Sequence, residues 1–133
     1  ELLRAAVDGW KAHERPLTAS FKVFYARFVV LAVDEKRVAP SGCAIDASVH
    51  WLQEIGTRMG VNFFDRSVAY LDQNGALQTL AVRQVKEAIA TEQIEPSTLV
   101  FDHLVPNKVQ WMKRWKVPAD QTWMKRFFQE QSA

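Results

Sequence analysis

The sequence contains a single cysteine, Cys43, among 133 residues. One thiol cannot form a disulfide within the chain, which argues against the disulfide-rich secreted class and predicts a reducing compartment such as the cytoplasm. The three histidines are scattered and, with the one cysteine, show none of the spacings of a zinc site. We therefore expect neither a metal nor a cofactor.

The five glycines do not form a nucleotide-binding motif. Neither the P-loop pattern nor the G-x-G-x-x-G pattern of dinucleotide-binding folds occurs, and no G-x-S-x-G marks a serine hydrolase. The sequence therefore gives no support to these three classes of protein.

Long apolar runs are also missing. None reaches the roughly 18–20 residues that a membrane-spanning helix needs, and the longest covers residues 28–33. The first residues lack the basic and apolar regions of a signal peptide, although the chain begins at Glu1 without methionine, so a targeting segment could have been removed. We expect a soluble protein with no membrane partner.

What the sequence does contain is ordinary globular composition, with 48% hydrophobic and 24% charged residues. A length of 133 residues suits one domain, so we predict a single domain over residues 1–133. Five tryptophans and eight phenylalanines can build its core without a disulfide or a metal. The same aromatic side chains could serve the interface of a homo-oligomer.

Apolar periodicity predicts an α+β fold, with about five helices packed mainly on one face of a small mixed sheet of three or more strands. A first helix is already under way at Glu1 and is stopped by Pro16, so another element can precede it. Phe21–Val33 is dense in β-branched and aromatic residues, which predicts one long strand in the centre of its sheet.

A second helix is expected to begin near Ser41 and to end at Gly60. Its predicted core stripe is Ile45, Val49, Leu52, Ile55 and Met59, which places Cys43, Asp46, His50 and Glu54 on the opposite face. The later elements are a strand at 68–71, a hairpin turn at Asn74-Gly75, a helix carrying Val85 and Ile89, a strand at 98–105, and helices near 107–115 and 120–128.

The most specific chemical feature is Ser41-Gly42-Cys43 at the start of the second helix. Ser41 is typical of an N-cap, and Gly42 lets the backbone turn tightly or lie close to a ligand. Free N–H groups and the positive end of the helix dipole favour an anion there and can activate a thiol. A structural thiol is favoured, and a ligand-binding turn and a reactive nucleophile remain as alternatives.

Two observations weaken the catalytic alternative. Cys43 and His50 are about 10 Å apart along a helix axis, which is beyond direct proton transfer. Asp46, in the first turn, opposes both a thiolate and a bound anion. A base or cation would have to come from another element, and His13, His103 and Arg27 are the candidates.

Basic residues are concentrated after Pro106, where the sequence contains six lysines and arginines and two acidic residues, a net charge of +4. The stretch combines these charges with Val109, Met112 and Trp115. Helices laid on a core with their basic residues in solvent are favoured over a binding surface, and we do not expect nucleic acid as a partner.

Several segments together resemble an uncharacterised family of short bacterial proteins, almost from end to end. They are Trp10-x-x-His13, Pro16-Leu17, Arg27-Phe28, Val33-Asp34-Glu35, Ser41-Gly42-Cys43-x-Ile45-Asp46-x-Ser48, Phe64-Asp65-Arg66, Thr98-x-Val100-Phe101 and Trp115-x-Val117-Pro118. The resemblance implies a short strand before the first helix. It implies no activity, cofactor or catalytic residue.

Some members of that family carry the name "ABC transporter ATPase", which this sequence does not support, because nothing in it could hold a triphosphate and Mg²⁺ in the P-loop manner. This chain also has Asp102 where the family is expected to have asparagine, which puts any ligand role of that position in doubt.

Two hypotheses about function follow. The first is a non-enzymatic interaction or accessory domain, which is favoured because no complete catalytic constellation occurs in the sequence. The alternative is a small-ligand or anion-binding protein, or a thiol-dependent enzyme, that uses Ser41, Gly42 and Cys43, with Asp46 beside them and His13 or Arg27 reaching them.

Overall fold

The computed structural model describes the backbone of residues 1–132 and the side chains of residues 1–130. The chain divides into two compact units, one from Glu1 to Asp65 and one from Arg66 onward. The α+β class is confirmed, with five α-helices and eight strands among the described residues. The assignment of the whole chain to one domain stays a prediction.

The first unit contains two helices and two small antiparallel sheets. In chain order its elements are α1 (Leu2–Asp8), β1 (Lys11–Ala12), β2 (Arg15–Pro16), β3 (Ala19–Phe24), β4 (Phe28–Val33) and α2 (Gly42–Met59). Strand β1 pairs with β2, and β3 pairs with β4. Their apolar cluster is built from Trp10, Ala12, Leu17 and Ala44, all buried.

Helix α1 is shorter than the sequence predicts, because it ends at Asp8 and does not continue to Pro16. After Gly9 the chain forms the hairpin of β1 and β2, whose two turn residues, His13 and Glu14, both have left-handed backbone angles (φ 51° and 69°). His13 therefore lies in a tight turn that suits the twist of a hairpin and not in the last turn of a helix.

The prediction of one long central strand over Phe21–Val33 is wrong. The segment folds into the antiparallel hairpin of β3 and β4, in which Phe24 faces Phe28. Tyr25 and Ala26 make the turn with φ of 55° each. These conformations are unusual for residues other than glycine and asparagine, so the turn carries no sequence signal.

Helix α2 is confirmed from its cap at Ser41 to Gly60, but its predicted core stripe is partly wrong. Ile45 is 52% exposed and Met59 is 60% exposed. The residues that α2 buries are Ala44, Ser48, Ile55 and Gly56. Their face is rotated by roughly 40° from the predicted stripe, because small side chains allow neighbouring segments to approach closely.

The second unit contains a four-stranded antiparallel sheet in the order β6-β5-β7-β8. Its elements are β5 (Val68–Leu71), β6 (Leu77–Leu80), α3 (Val85–Ala90), β7 (Leu99–Phe101), α4 (Lys108–Arg114), β8 (Lys116–Pro118) and α5 (Lys125–Ser132). The sequence predicts a mixed sheet, whereas every described strand pair is antiparallel. The Asn74-Gly75 turn is confirmed between β5 and β6, with Gly75 at φ 77°.

The end of the chain differs in detail from the sequence prediction. The strand expected at 98–105 is limited to Leu99–Phe101, and Lys116–Pro118 forms a strand that is not predicted from the sequence. Pro118 is tolerated there because β8 lies at the edge of the sheet. The helix expected at 120–128 is replaced by a 3₁₀ turn at Ala119–Gln121 followed by α5.

The core of the second unit lies between its sheet and helices α3 and α5. Tyr70, Val100 and Val117 contribute from neighbouring strands, and the largest fully buried side chains are Val85, Ile89, Ile94, Val100 and Met124. Phe127 and Phe128 of α5 pack against the same cluster. No helix among residues 1–132 is long and apolar enough to cross a membrane.

Candidate functional site

The start of α2 is built as a capped helix terminus. Ser41 has an extended backbone (φ −84°, ψ 166°), and its Oγ accepts a hydrogen bond of 3.1 Å from the Ala44 N–H. The Ser41 carbonyl accepts the first intrahelical bond, from the Ile45 N–H at 3.0 Å. Gly42 is the first helical residue, and Cys43 follows it with an exposed side chain. One of the helix's free N–H groups is thus satisfied by Ser41 and not by a ligand.

Trp10 contacts the start of α2 through a hydrogen bond and a ring contact. Its indole Nε1 donates a buried hydrogen bond of 2.7 Å to the carbonyl of Ala44, and its ring meets that of Trp51 edge to face at 5.8 Å. Trp10 could not be assigned to the site from the sequence, because 34 residues separate it from Ala44. The tryptophan content was the only available signal, since a buried indole needs an acceptor for its N–H.

Of the predicted site residues outside α2, His13 lies closer in the fold to Cys43 than Arg27 does. Ala12, the neighbour of His13, shares an apolar cluster with Ala44, the neighbour of Cys43. His13 itself is exposed in the turn between β1 and β2. It therefore lies on the same part of the first unit, with its ring in solvent.

Arg27 lies at the other end of the β3–β4 hairpin. The pair Ala19 and Val33 packs against the cluster that contains Ala44, whereas Arg27 sits in the turn beyond Phe28. The five residue-to-residue steps from Phe28 to Val33 span roughly 17 Å of strand. The fold thus separates Arg27 from the helix start.

Asp46 and His50 are both exposed on α2. Asp46 lies three residues after Cys43, where its negative charge repels an anion or a thiolate. His50 is two helical turns from Cys43, about 10 Å along the axis. The described part of the chain therefore brings Ser41, Gly42, Cys43 and Asp46 together without adding a base or a cation to the thiol.

The cap itself gives a testable consequence. Replacing Ser41 with alanine removes the acceptor of the Ala44 N–H and is expected to lower the free energy of unfolding by about 1 kcal/mol. Ser41→Asp keeps a side-chain acceptor and is the matched control, expected to stay within about 0.5 kcal/mol of the original chain. Urea unfolding followed by circular dichroism measures both, and equal losses in the two variants would contradict the capping role.

His103, the remaining candidate base, lies in the second unit after β7. Its pKa is lowered, because partial burial disfavours the charged ring, and the negative charge of Asp102 opposes part of that shift. The Asp102 carboxylate accepts a hydrogen bond of 2.9 Å from the Leu104 N–H, so it shapes the turn after the strand.

The second unit also contains a cavity of about 300 Å³ for which the sequence carries no signal. Three acidic residues are among those that line it, Asp72, Glu92 and Glu95, together with Tyr70 and Gln93. The Gln93 side-chain amide donates a hydrogen bond of 2.7 Å to the Tyr70 hydroxyl. The negative charge of these three residues disfavours an anionic ligand in this cavity.

The Asp72 side chain stabilises the β5–β6 turn beside the cavity through hydrogen bonds. Its carboxylate accepts hydrogen bonds from the Gln78 side chain at 3.0 Å and from the N–H groups of Ala76 and Asn74 at 2.9 Å each. These bonds, led by that of Gln78, hold the pKa of Asp72 below its ordinary value of 3.8. Because the folded pKa is the lower one, the stabilisation is present above 3.8 and is lost as the pH falls through the folded value.

Replacing Gln78 with alanine is expected to raise the pKa of Asp72 towards 3.8, because the largest cause of its depression is removed. Carbon-detected NMR titration of the Asp72 carboxyl between pH 2 and 6 measures the change. Gln73→Ala is the control, since Gln73 lines the cavity without a described bond to Asp72. An unchanged midpoint in Gln78→Ala would show that the backbone bonds alone set the pKa.

Helix α4 presents two strongly exposed apolar side chains. On this helix Met112 is 71% exposed and Val109 is 59% exposed. Lys108 and Lys113 lie on either side of them, so the four side chains occupy a sector of roughly 140° around the helix. We call Lys108, Val109, Met112 and Lys113 the α4 surface.

Trp111 of α4 and Trp115, the residue that follows the helix, lie outside this sector. Trp111 stacks on Trp115 with ring centroids 5.2 Å apart, and Trp115 meets Phe101 of β7 at 4.9 Å. Trp115 is only 7% exposed. The aromatic rings therefore attach α4 to the second unit, and the aliphatic residues and lysines remain in solvent.

Metal ligands are not assembled anywhere in the part of the chain that the structure describes, since it contains no group of three histidine, cysteine, aspartate or glutamate side chains able to hold an ion. Comparisons with protein-family models, with curated proteins and with solved structures find no match. The resemblance noted for the Ser41-Gly42-Cys43 segment and its companions stays a prediction.

Proposed function

We propose that this chain is a non-enzymatic interaction domain that binds another protein through the α4 surface. The exposure of Val109 and Met112 on a helix that is held by the stacking of Trp111 on the buried Trp115 carries this proposal. Leu104, in the segment before α4, is 91% exposed. Single exposed aliphatic residues are common, but several within nine residues are typical of a contact surface.

The thiol-dependent alternative receives less support from the geometry. Cys43 is exposed on α2, with the Asp46 carboxylate one turn away and the His50 ring two turns away. An activated cysteine needs a nearby cation, base or unopposed helix dipole. The described contacts of the first unit join neither a histidine nor a cation to the sulfur.

A lone exposed thiol also supports a cytoplasmic location for this domain. Thiols of this kind persist in reducing compartments, whereas secreted domains of similar size often carry paired cysteines. The proposal of an interaction domain does not depend on the location.

The two functions can be separated by peptide selection and thiol reactivity. Phage-displayed random 16-residue peptides are selected on the immobilised full chain. We expect to obtain peptides whose binding is saturable and equally tight for the Cys43→Ser variant. The rate of alkylation of Cys43 by iodoacetamide at pH 7 is expected to lie within about threefold of that of N-acetylcysteine. Failure to select any saturable peptide, or alkylation more than about tenfold faster than that of N-acetylcysteine, would overturn the interaction-domain proposal.

A further inference from the structure

We propose that the segment bound by the α4 surface is acidic, with one aliphatic side chain that contacts Val109 and Met112 and with carboxylates that pair with Lys108 and Lys113. This inference rests on the proposed function and specifies the chemistry of its partner. It uses the charge and exposure of α4, neither of which is needed for the packing of the second unit.

The charge of α4 and its flanking segments is of one sign. Between Asp102 and Asp120 the sequence contains four basic residues, Lys108, Lys113, Arg114 and Lys116, and no acidic residue. Lys108, Lys113 and Arg114 form no ion pair within the described residues. A surface with unpaired cations attracts an acidic partner and repels a basic one, which gives both faster association and selectivity.

The arrangement of the side chains defines the shape of the complementary segment. Val109 and Met112 are three residues apart and therefore neighbours on the helix, and the two lysines lie at the edges of the same sector. Seven residues of helix extend about 10 Å. A short segment with one leucine, isoleucine or valine and a carboxylate on each side of it matches both the length and the charge.

Nucleic acid fits this surface less well than a peptide. Proteins that bind single strands stack bases on exposed aromatic rings, whereas Trp111 and Trp115 are stacked on each other and Trp115 is buried. The exposed side chains beside the lysines are aliphatic and offer no stacking surface. We therefore expect oligonucleotides to bind weakly and without contacts to Val109 or Met112.

A membrane surface is also a poorer match. A single myristoyl chain gives only marginal membrane binding, and the side chains of Val109, Met112 and Leu104 offer less apolar surface than such a chain. Lysines would help on anionic lipid, but the helix is too short to bury a long apolar face. A protein segment can instead enclose both aliphatic residues.

The composition of selected peptides tests the inference on the unaltered chain. Phage-displayed random 16-residue peptides are selected on the full chain and depleted on the K108E/K113E variant. The selected sequences are expected to contain more aspartate and glutamate than lysine and arginine, with an aliphatic residue between two acidic ones. Two outcomes would overturn the inference and leave the interaction-domain proposal standing. The selected sequences could be neutral or basic, or all binders could be removed by the depletion step because they also bind K108E/K113E.

Matched variants then locate the binding site. A selected peptide is labelled with fluorescein, and its binding is followed by anisotropy at 50 and 300 mM NaCl. K108E/K113E and V109S/M112S are each expected to weaken binding by about tenfold or more, with the higher salt weakening binding to the unaltered chain. R83E/K86E makes the same charge change at exposed residues of the same unit, and V82S removes an aliphatic residue that is 53% exposed; both should change binding by less than about twofold.

Each remaining outcome counts against the inference. Equal losses in R83E/K86E and K108E/K113E would mean that total charge, and not the α4 surface, attracts the peptide. Tighter binding to a 20-nucleotide single-stranded DNA, or to vesicles of phosphatidylcholine with 30% phosphatidylserine, than to the selected peptide would replace the proposed partner. Dimerisation of the unaltered chain that V109S/M112S abolishes would assign the surface to a second copy.

Discussion

Replacing Ile94 with alanine is expected to lower the free energy of unfolding of the second unit by about 2–5 kcal/mol. Ile94 is 1% exposed and lies in the cluster formed by the four-stranded sheet with α3 and α5. Its N–H donates to the Ala88 carbonyl at 3.1 Å, which fixes the chain just after α3. The smaller side chain leaves a cavity that this hydrogen-bonded segment cannot easily fill, so both the lost burial and the cavity contribute.

Urea unfolding followed by tryptophan fluorescence measures this effect, since Trp111, Trp115 and Trp123 all lie in the second unit. Val82→Ala is the control, because Val82 is 53% exposed and should cost less than about 0.5 kcal/mol. Ile94→Val, which removes one methyl group, should cost about 0.5–1.5 kcal/mol. A loss below about 1 kcal/mol in Ile94→Ala would show that the cluster around it is loosely packed.

The β5–β6 hairpin could be predicted because its turn chemistry is local. Asn74-Gly75 supplies residues that accept left-handed backbone angles, and Gly75 adopts φ 77°. The same holds for α2, whose serine cap and terminal glycine stand at the two ends of the helical pattern. In both cases the residues that determine the structure lie within a few positions of the feature.

The β3–β4 hairpin could not be predicted in this way. Its turn residues, Tyr25 and Ala26, are not typical of left-handed positions, so the aromatic and aliphatic residues on both sides merge into one apolar run. The pairing of Ala19 with Val33 at the far end of the hairpin shows that the whole run is used for strand pairing. Tertiary pairing here overrides local turn preference.

In the candidate site, too, features set by neighbouring residues could be predicted and features set by distant contacts could not. The cap of Ser41 follows from the local pattern, and its bond to the Ala44 N–H is present. The support from Trp10 depends on a contact between residues 34 positions apart, and the buried face of α2 depends on which side chains are small enough for close packing. The pattern of Val109, Met112 and Trp115 predicts one packed stripe, whereas the fold buries only the tryptophan.

Gly56 in α2 shows how a small residue can determine which face of a helix is buried. A Cβ atom at this position would lie 2.6 Å from the Val61 carbonyl oxygen and 3.3 Å from the Phe63 ring. The chain returns this close because Gly60 adopts φ 70° and the Val61 N–H donates to the Gly56 carbonyl at 2.9 Å. This is the hydrogen bond of a Schellman motif, which ends the helix.

Gly56→Ala is therefore expected to destabilise the first unit by about 1–3 kcal/mol, even though alanine favours helix in general by about 1 kcal/mol. Gly42→Ala is the matched control in the same helix, because no atom lies within 4 Å of its added Cβ, and it should be neutral or stabilising by up to about 1 kcal/mol. Urea unfolding followed by circular dichroism at 222 nm compares the two. A Gly56→Ala variant as stable as Gly42→Ala would mean that Val61 and Phe63 can move aside without cost, and that helix propensity outweighs the close return of the chain.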